Sequence, residues 1–433
     1  MKRLLICIVA LALAAGVTSL RLRPTDGPSK LPEALQKAAF AKVARAWSSR
    51  PGQLAAGWGL ADLPIAKLGT ADPESKKRSA RAELPPRLSV LVLGQPGAPK
   101  MALVTAEMLS IPARTALLLR AYAGEALSMP REYIVVVATH THAGPRPHFG
   151  PALRVAFGHP ELEERGLASA VAYAADQARR SYQQVRFGAS SSRLSTYIAN
   201  RSPGASSPVD DRLRAVQLSA QGRRVLLWSY AAHPTLVARS SRQADGDYPA
   251  RVASILEEQA GFDQVIFLPG RTAHATVATE RNPDRLAEIL AHALRGLAEV
   301  ADNGSTAQAG LAFEPIELPT LDPRFTLFGD LVAAPWLQKW LGRNESQVHL
   351  LRLGSVGMTF VAGEVSNGLV PSTSGDQWVV SLSGSGLGYL VDPRDRSVQP
   401  ERPLVLLGTN ELGQMGELLR IVAGSLSTDR LSE

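Results

Sequence analysis

The run Val135-Val136-Val137-Ala138 is apolar at every position, and it ends directly in Thr139-His140-Thr141-His142-Ala143-Gly144-Pro145. A strand with no polar face must be covered on both sides, so it belongs in the interior of a sheet rather than on a solvated one. Ligands bind beyond the carboxyl ends of strands in open α/β sheets, and residues i and i+2 of extended backbone share a face. The spacing lets both imidazoles point into one cleft, where they either hold a metal or stand as a polar pair on a turn. Leu227-Trp228-Ser229-Tyr230-Ala231-Ala232-His233-Pro234-Thr235 repeats the arrangement, with an apolar strand delivering a histidine and a proline stopping the strand. The chain has eight histidines in all, and three of them, His140, His142 and His233, sit where a metal site assembled from neighbouring strand ends would need them.

Around these segments strand-like and helix-like stretches alternate. Apolar, β-rich runs at 88–93, 101–105, 133–138, 224–230 and 264–268 read as strands, while 31–47, 112–127, 161–184, 249–260 and 284–300 carry helical spacing. Past Asn303 the strands shorten, at 349–353, 358–362 and 378–382, and a helix closes the chain at 411–423. The fold class is α/β: a mixed, largely buried sheet flanked by helices, with a smaller strand-rich C-terminal part and room for a subdomain from about 305. At 433 residues, 45% hydrophobic and 20% charged, the chain can bury such a core and is too apolar to be disordered.

The first twenty residues read as an address. Lys2-Arg3 precede an apolar run from Leu4 to Leu20, the pattern of a secretory signal or of an uncleaved anchor. Residues 21–48 then form an N-terminal helical segment and 49–425 the main domain. The expectation is an exported protein, periplasmic or secreted, with the sole cysteine, Cys7, inside the signal. One cysteine excludes a disulfide scaffold and a multi-thiolate metal site. The net charge of +8 favours an anionic membrane surface, and no basic run interleaved with aromatics points to nucleic acid.

Carboxylates follow the same logic as the histidines. Phe360-Val361-Ala362-Gly363-Glu364-Val365 sets a Glu straight after an apolar strand, where folding does not require an acid. Asp247, in Gly246-Asp247-Tyr248-Pro249, opens a helix and serves either as an N-cap or as a functional acid. Asn200-Arg201-Ser202-Pro203 is a tight polar turn, at the surface or with its Arg orienting a substrate oxygen. Gly384-Ser385-Gly386-Leu387-Gly388-Tyr389 matches neither a dinucleotide nor a phosphate loop, and reads as a close backbone approach with Tyr389 aimed inward.

Taken in order, Thr139–Pro145, Asn200–Pro203, Ala232-His233-Pro234-Thr235, Gly246-Asp247-Tyr248, Gly363-Glu364 and Gly388-Tyr389 resemble the neutral (alkaline, non-lysosomal) ceramidases, zinc amidases that cleave the N-acyl bond of ceramide. The resemblance implies one zinc ion per chain held by His140, His233, Glu364 and Tyr389, with His142 handling protons beside it. It further implies Arg201 on the scissile carbonyl and Asp247 as outer support. Imidazole and carboxylate are ordinary zinc donors, whereas a tyrosine oxygen is unusual. The chemistry would be attack of a metal-activated water on a carbonyl polarised by metal and Arg.

Two stretches depart from the family. Where the ceramidases carry a catalytic Ser, this chain reads Arg271-Thr272-Ala273-His274-Ala275-Thr276-Val277, with Thr276 at the Ser position and His274 in place of an acid. Where the family has an active-site Tyr past the tyrosine ligand, the chain has Pro400. The extra C-terminal β-sandwich of the ceramidases proper is not expected, leaving a catalytic-domain type like the short bacterial relatives. Three functions follow: hydrolysis of an N-acyl lipid, hydrolysis of another ester or amide on the same scaffold, or lipid binding without catalysis.

Overall fold

The computed structural model describes residues 20–22, 30–48, 52–65, 84–145, 162–202, 204–237, 244–317, 326–327, 331–333, 347–370, 377–384, 388–395, 398 and 409–424. Residues 1–19, with Cys7 and nearly all of the expected signal, and Pro400 lie outside the described residues.

Strands β1 (Gly52–Asp62), β2 (Arg87–Gln95), β3 (Ala98–Ala106), β4 (Ile134–Ala138) and β5 (Gln183–Arg193) open the main sheet. After a short β6 (Ile198–Asn200), it continues with β7 (Arg212–Ala220), β8 (Arg223–Tyr230) and β9 (Gln264–Pro269). The spatial order is β9-β8-β7-β5-β1-β2-β3-β4, with Gln308–Ala309 also paired to β1. Pairs β3–β4 and β8–β9 are parallel and the others antiparallel. The two ends of this order approach each other: β9 touches β1, β3 and β4, and Gln264 Nε2 donates to the Gly59 carbonyl at 3.2 Å. That curl lets the segments leaving β4 and β8 meet, where His142 N–H donates to the Pro234 carbonyl at 3.1 Å.

Helices α1 (Glu33–Ser48), α2 (Ala113–Leu127), α3 (Glu164–Arg180), α4 (Asp247–Ala260), α5 (Pro283–Asn303) and α6 (Thr409–Gly424) divide into two layers. α2 and α3 pack on the β1–β4 half of the main sheet, and α4 and α5 on the β7–β9 half. The other face of the sheet meets a second sheet of β11 (Leu311–Glu317), β12 (Gln347–Leu353), β13 (Val356–Val361) and β15 (Gln377–Val380), ordered β11-β12-β13-β15. Between them lies one apolar layer in which Val135, Val137, Leu227 and Ile266 face Phe313, Leu351, Met358 and Phe360. α1 and α6 cover the outer side of the second sheet. The result is a four-layer α/β/β/α stack, the mixed α/β class expected from the alternation. It also explains why all five positions of β4 are buried: helices lie on one side and a second sheet on the other. Two short pairs remain, β6 with β10 (Ala275–Val277), antiparallel, and β14 (Glu364–Val365) with β16 (Tyr389–Leu390), parallel.

His349 sits inside the second sheet, 1% exposed and stacked on Phe313 at 5.7 Å, with neither ring nitrogen hydrogen-bonded among the described residues. Burial, then the charges of Arg120 and Lys42, push its pKa from 6.5 down to about 3. The unfolded chain takes up a proton in that interval which the folded chain refuses, so stability is lost as pH falls through it. From pH 7 to pH 5 the loss is about 2 kcal/mol. His349→Leu should hold or raise stability at pH 7 and flatten the pH dependence of urea unfolding by that amount; identical slopes for both proteins would contradict the assignment.

Candidate metal centre

β4 ends at Ala138, and His140 adopts a left-handed backbone (φ 69°) that turns its ring back toward the sheet's rim. Its Nδ1 lies 2.8 Å from the Leu109 carbonyl. His233, past the end of β8, has its Nδ1 2.6 Å from the Ala275 carbonyl. A carbonyl oxygen only accepts, so both Nδ1 atoms carry a hydrogen, and in the neutral ring each Nε2 presents a lone pair. Both face the same carboxylate oxygen: Glu364 Oε2 is 2.9 Å from His233 Nε2 and 3.3 Å from His140 Nε2. His142 completes the group, with ligand atoms of the three imidazoles all within 4.8 Å of one another. His140 and His233 are buried, and His142 is half-buried.

Burial alone would raise the Glu364 carboxyl, but the charges and hydrogen bonds of His140 and His233 outweigh it and hold it well below the usual range. His233 moves down, burial outweighing the pull of Glu364. These directions favour an ionised carboxylate beside a His233 ring in its neutral form. In the neutral rings two imidazole nitrogens and a carboxylate oxygen offer lone pairs to one point, and this donor set fits a metal ion. Imidazoles with one carboxylate, and no thiolate, suit a zinc-type ion.

Glu364 is delivered by β14, whose parallel pairing with β16 puts Tyr389 directly opposite it. The Tyr389 hydroxyl accepts from Arg201 Nη2 at 2.9 Å, and the guanidinium lies 5.5 Å from the ring centroid. Arg201 also donates through Nε to the Ala273 carbonyl (3.1 Å) and through its backbone N–H to the His274 carbonyl (2.9 Å). Its charge is close enough to lower His233 further. Arg201, Tyr389, Glu364 and the histidines therefore share one neighbourhood.

Asp247 is fully buried at a left-handed position (φ 58°) and is the first residue of α4, with Gly246 in the N-cap place. Its carboxylate accepts from Val237 N–H (2.8 Å) and Tyr248 N–H (2.6 Å), and burial lifts its pKa to about 6. It thus acts on backbone just past His233. Thr276 is half-buried on β10, opposite Ala199 of β6, and its hydroxyl has no hydrogen bond among the described residues.

Two supports escaped the sequence reading. Thr141 Oγ1 donates to the Asp245 carbonyl (2.7 Å), Asp245 N–H donates to the Ala143 carbonyl (3.0 Å), and the Asp245 carboxylate holds Arg251 at 2.6 Å. The His140–Ala143 turn is thereby clamped to the start of α4. On the far side Arg271 bonds the buried Asp210 (3.0 Å) and the Val370 carbonyl (2.7 Å), fixing the segment whose Ala275 carbonyl orients His233. The repeated Gly/Asp spacing at 245–247 was the available signal for the first; a lone Arg271 gave none for the second.

No protein-family model matches this chain, and no curated protein matches it. Solved structures do. The neutral ceramidase from Pseudomonas aeruginosa matches with a TM-score of 0.63 at 13% identity, over 87% of this chain and 74% of that one. A ceramidase complexed with C2 matches with a TM-score of 0.64 at 12% identity, over 86% and 75% of the two chains. Likeness at such identity is a likeness of fold, and the fold this chain shares is that of these ceramidases.

Proposed function

We propose that this protein is an exported zinc-dependent hydrolase of an N-acyl amide bond, with a ceramide-like lipid as its leading substrate. The observation that carries the reading is the pair of Nε2 atoms, each set by a carbonyl behind it, converging on Glu364 Oε2. His140, His233 and Glu364 would hold the ion, with Tyr389 as a fourth, weaker donor. When bound, zinc supplies Lewis-acid polarisation and a nucleophile at neutral pH. Arg201, held by Tyr389 and the Ala273 carbonyl, orients the substrate carbonyl oxygen. His142, the most exposed of the three imidazoles, passes a proton to the leaving amine. The fold shared with ceramidases supports the amide class. The test is release of fatty acid from a panel of N-acyl lipids, acyl-homoserine lactones and simple esters, with and without chelator.

A second reading, the same scaffold acting on another ester or amide, is favoured by the 271–277 segment. There His274 is buried where an acid would stand, and Thr276 carries its hydroxyl at the position of the ceramidase Ser. Turnover of simple esters without turnover of N-acyl lipids would select it. Activity created by Thr276→Ser in an inert wild type would instead mark a non-catalytic lipid binder.

Export rests on the Lys2-Arg3 and apolar start, and among the described residues no helix is long and apolar enough to cross a membrane. The net charge of +8 suits an anionic lipid surface. Pelleting with anionic liposomes should fall steeply as salt rises from about 0.05 to 0.5 M, and be absent with neutral liposomes; salt-independent pelleting would remove the electrostatic account.

A further inference from the structure

Glu107 is a buried acid, 8% exposed, that the centre described above leaves unused. It follows the run 101–106, apolar but for Thr105, much as Glu364 follows its own apolar strand. Burial raises its carboxyl despite the charge of Arg87 beside it. An acid so placed costs stability unless hydrogen bonds hold it. Its own N–H donates to the Arg87 carbonyl at 3.0 Å, carrying the β2–β3 ladder one residue past the Leu88–Ala106 pair. A regular antiparallel pair would return a bond from Arg87 N–H to the Glu107 carbonyl. Here Arg87 N–H donates instead to Glu107 Oε2, also at 3.0 Å. The carboxylate stands in for the residue's own carbonyl, which turns toward Gly144 and lies 2.7 Å from where a Cβ there would be. The main chain can therefore leave the sheet at Glu107 without stranding Arg87 N–H.

The departing chain is the template for His140. Thr139 N–H donates to the Ala106 carbonyl (3.0 Å), His140 N–H to the Met108 carbonyl (2.9 Å) and His140 Nδ1 to the Leu109 carbonyl (2.8 Å). These carbonyls flank Glu107 on both sides. They fix the left-handed backbone of His140 and its Nδ1, and with them the aim of Nε2 at Glu364. Glu107 Oε2 also abuts the start of α4, where a Cβ on Gly246 would stand 2.6 Å from it. Next to Gly246 is Asp245, whose carbonyl holds Thr141. Arg87 Nη1 meanwhile donates to Glu257 Oε2 at 2.7 Å, and Glu257 Oε1 accepts from Val265 N–H at 2.9 Å. Glu257 thus shares Arg87 with Glu107, but ties it to α4 and β9 rather than to the turn at 106–109.

Resting on the metal-centre reading, we propose that Glu107 is a positioning residue for that centre. Its carboxylate takes over a sheet bond so that the Met108 and Leu109 carbonyls can leave β3 and aim His140. Groups that orient a metal-binding imidazole from outside govern metal affinity by about 10–100-fold.

The experiment is Zn2+ affinity by chelator competition, with the visible absorption of the Co2+-loaded full chain as a second readout. Glu107→Ala should bind Zn2+ about 10–100-fold more weakly and shift the Co2+ bands, because the turn no longer fixes His140. Glu107→Gln keeps an oxygen for Arg87 N–H and should recover most of that loss. Glu257→Gln should lower the urea midpoint yet leave both metal readouts as in wild type. If Glu107→Ala does not fold, Glu107→Asp, whose oxygens fall one methylene short, carries the comparison. Wild-type affinity and bands in that variant, a Glu107→Gln protein as weak as Glu107→Ala, or an equal loss in Glu257→Gln overturn the proposal. Failure of the wild type to take up either metal overturns the metal-centre reading itself, and this proposal with it.

Discussion

His233→Ala should yield protein that retains no zinc through dialysis and hydrolyses an N-acyl amide at least ~10³-fold more slowly than wild type. His233 is 1% exposed and faces the carboxylate at 2.9 Å, so alanine removes a donor that water cannot replace at the same geometry. His142→Ala separates the roles. Its imidazole lies with the other two, yet the proposed task is proton transfer. That variant should keep its zinc and lose about 10²–10⁴ in rate. Loss of zinc from His142→Ala would make it a ligand instead, and full retention in His233→Ala would remove His233 from the centre.

The second large effect is on folding. Asp210 is 4% exposed and pairs with two guanidiniums that are just as buried, Arg214 (3.0 Å) and Arg271 (3.0 Å). Burial would raise its carboxyl, but the two arginines outweigh that and hold it low. Asp210→Ala leaves two buried cations with no counter-charge, which costs about 3–5 kcal/mol or more. The urea midpoint should fall accordingly, and the damage should spread to the centre, since Arg271 fixes the segment that orients His233. Arg271→Met should cost less, because Arg214 still satisfies Asp210. A change under about 1 kcal/mol in Asp210→Ala would mean that these arginines find water in the folded protein.

The contrast between these two sites says what the sequence made legible. His140, His142, His233 and Glu364 could be found because each follows an apolar strand, and strand ends announce themselves locally. The Asp210–Arg214–Arg271 triad could not, because nothing local marks Arg214 as buried, and Arg271 joins it only through the fold. The strands show the same division. β4 is apolar throughout, and β8 and β9 hold the apolar runs 225–228 and 265–268, so all three were legible. β1, Gly52–Asp62, was not: Gly57 and Gly59 stand where strand-forming residues are expected, because α3 lies so close that a Cβ at either would strike its backbone. β5 was hidden because Ser190-Ser191-Ser192 interrupts any apolar alternation. In the sheet it pairs with β7, and Ser190 Oγ donates to the Leu297 carbonyl of α5 at 2.6 Å. It also absorbs the end of the helix expected at 161–184, since α3 stops at Arg180.

Everything functional here turns on a cation among His140, His233 and Glu364. The most direct measurement is elemental analysis joined to X-ray absorption on the purified full-length protein. The account predicts one zinc per chain with nitrogen and oxygen neighbours at about 2.0–2.2 Å, removed together with activity by a chelator. Protein that holds no metal after growth and dialysis in zinc, and whose hydrolytic activity survives chelation, would contradict it.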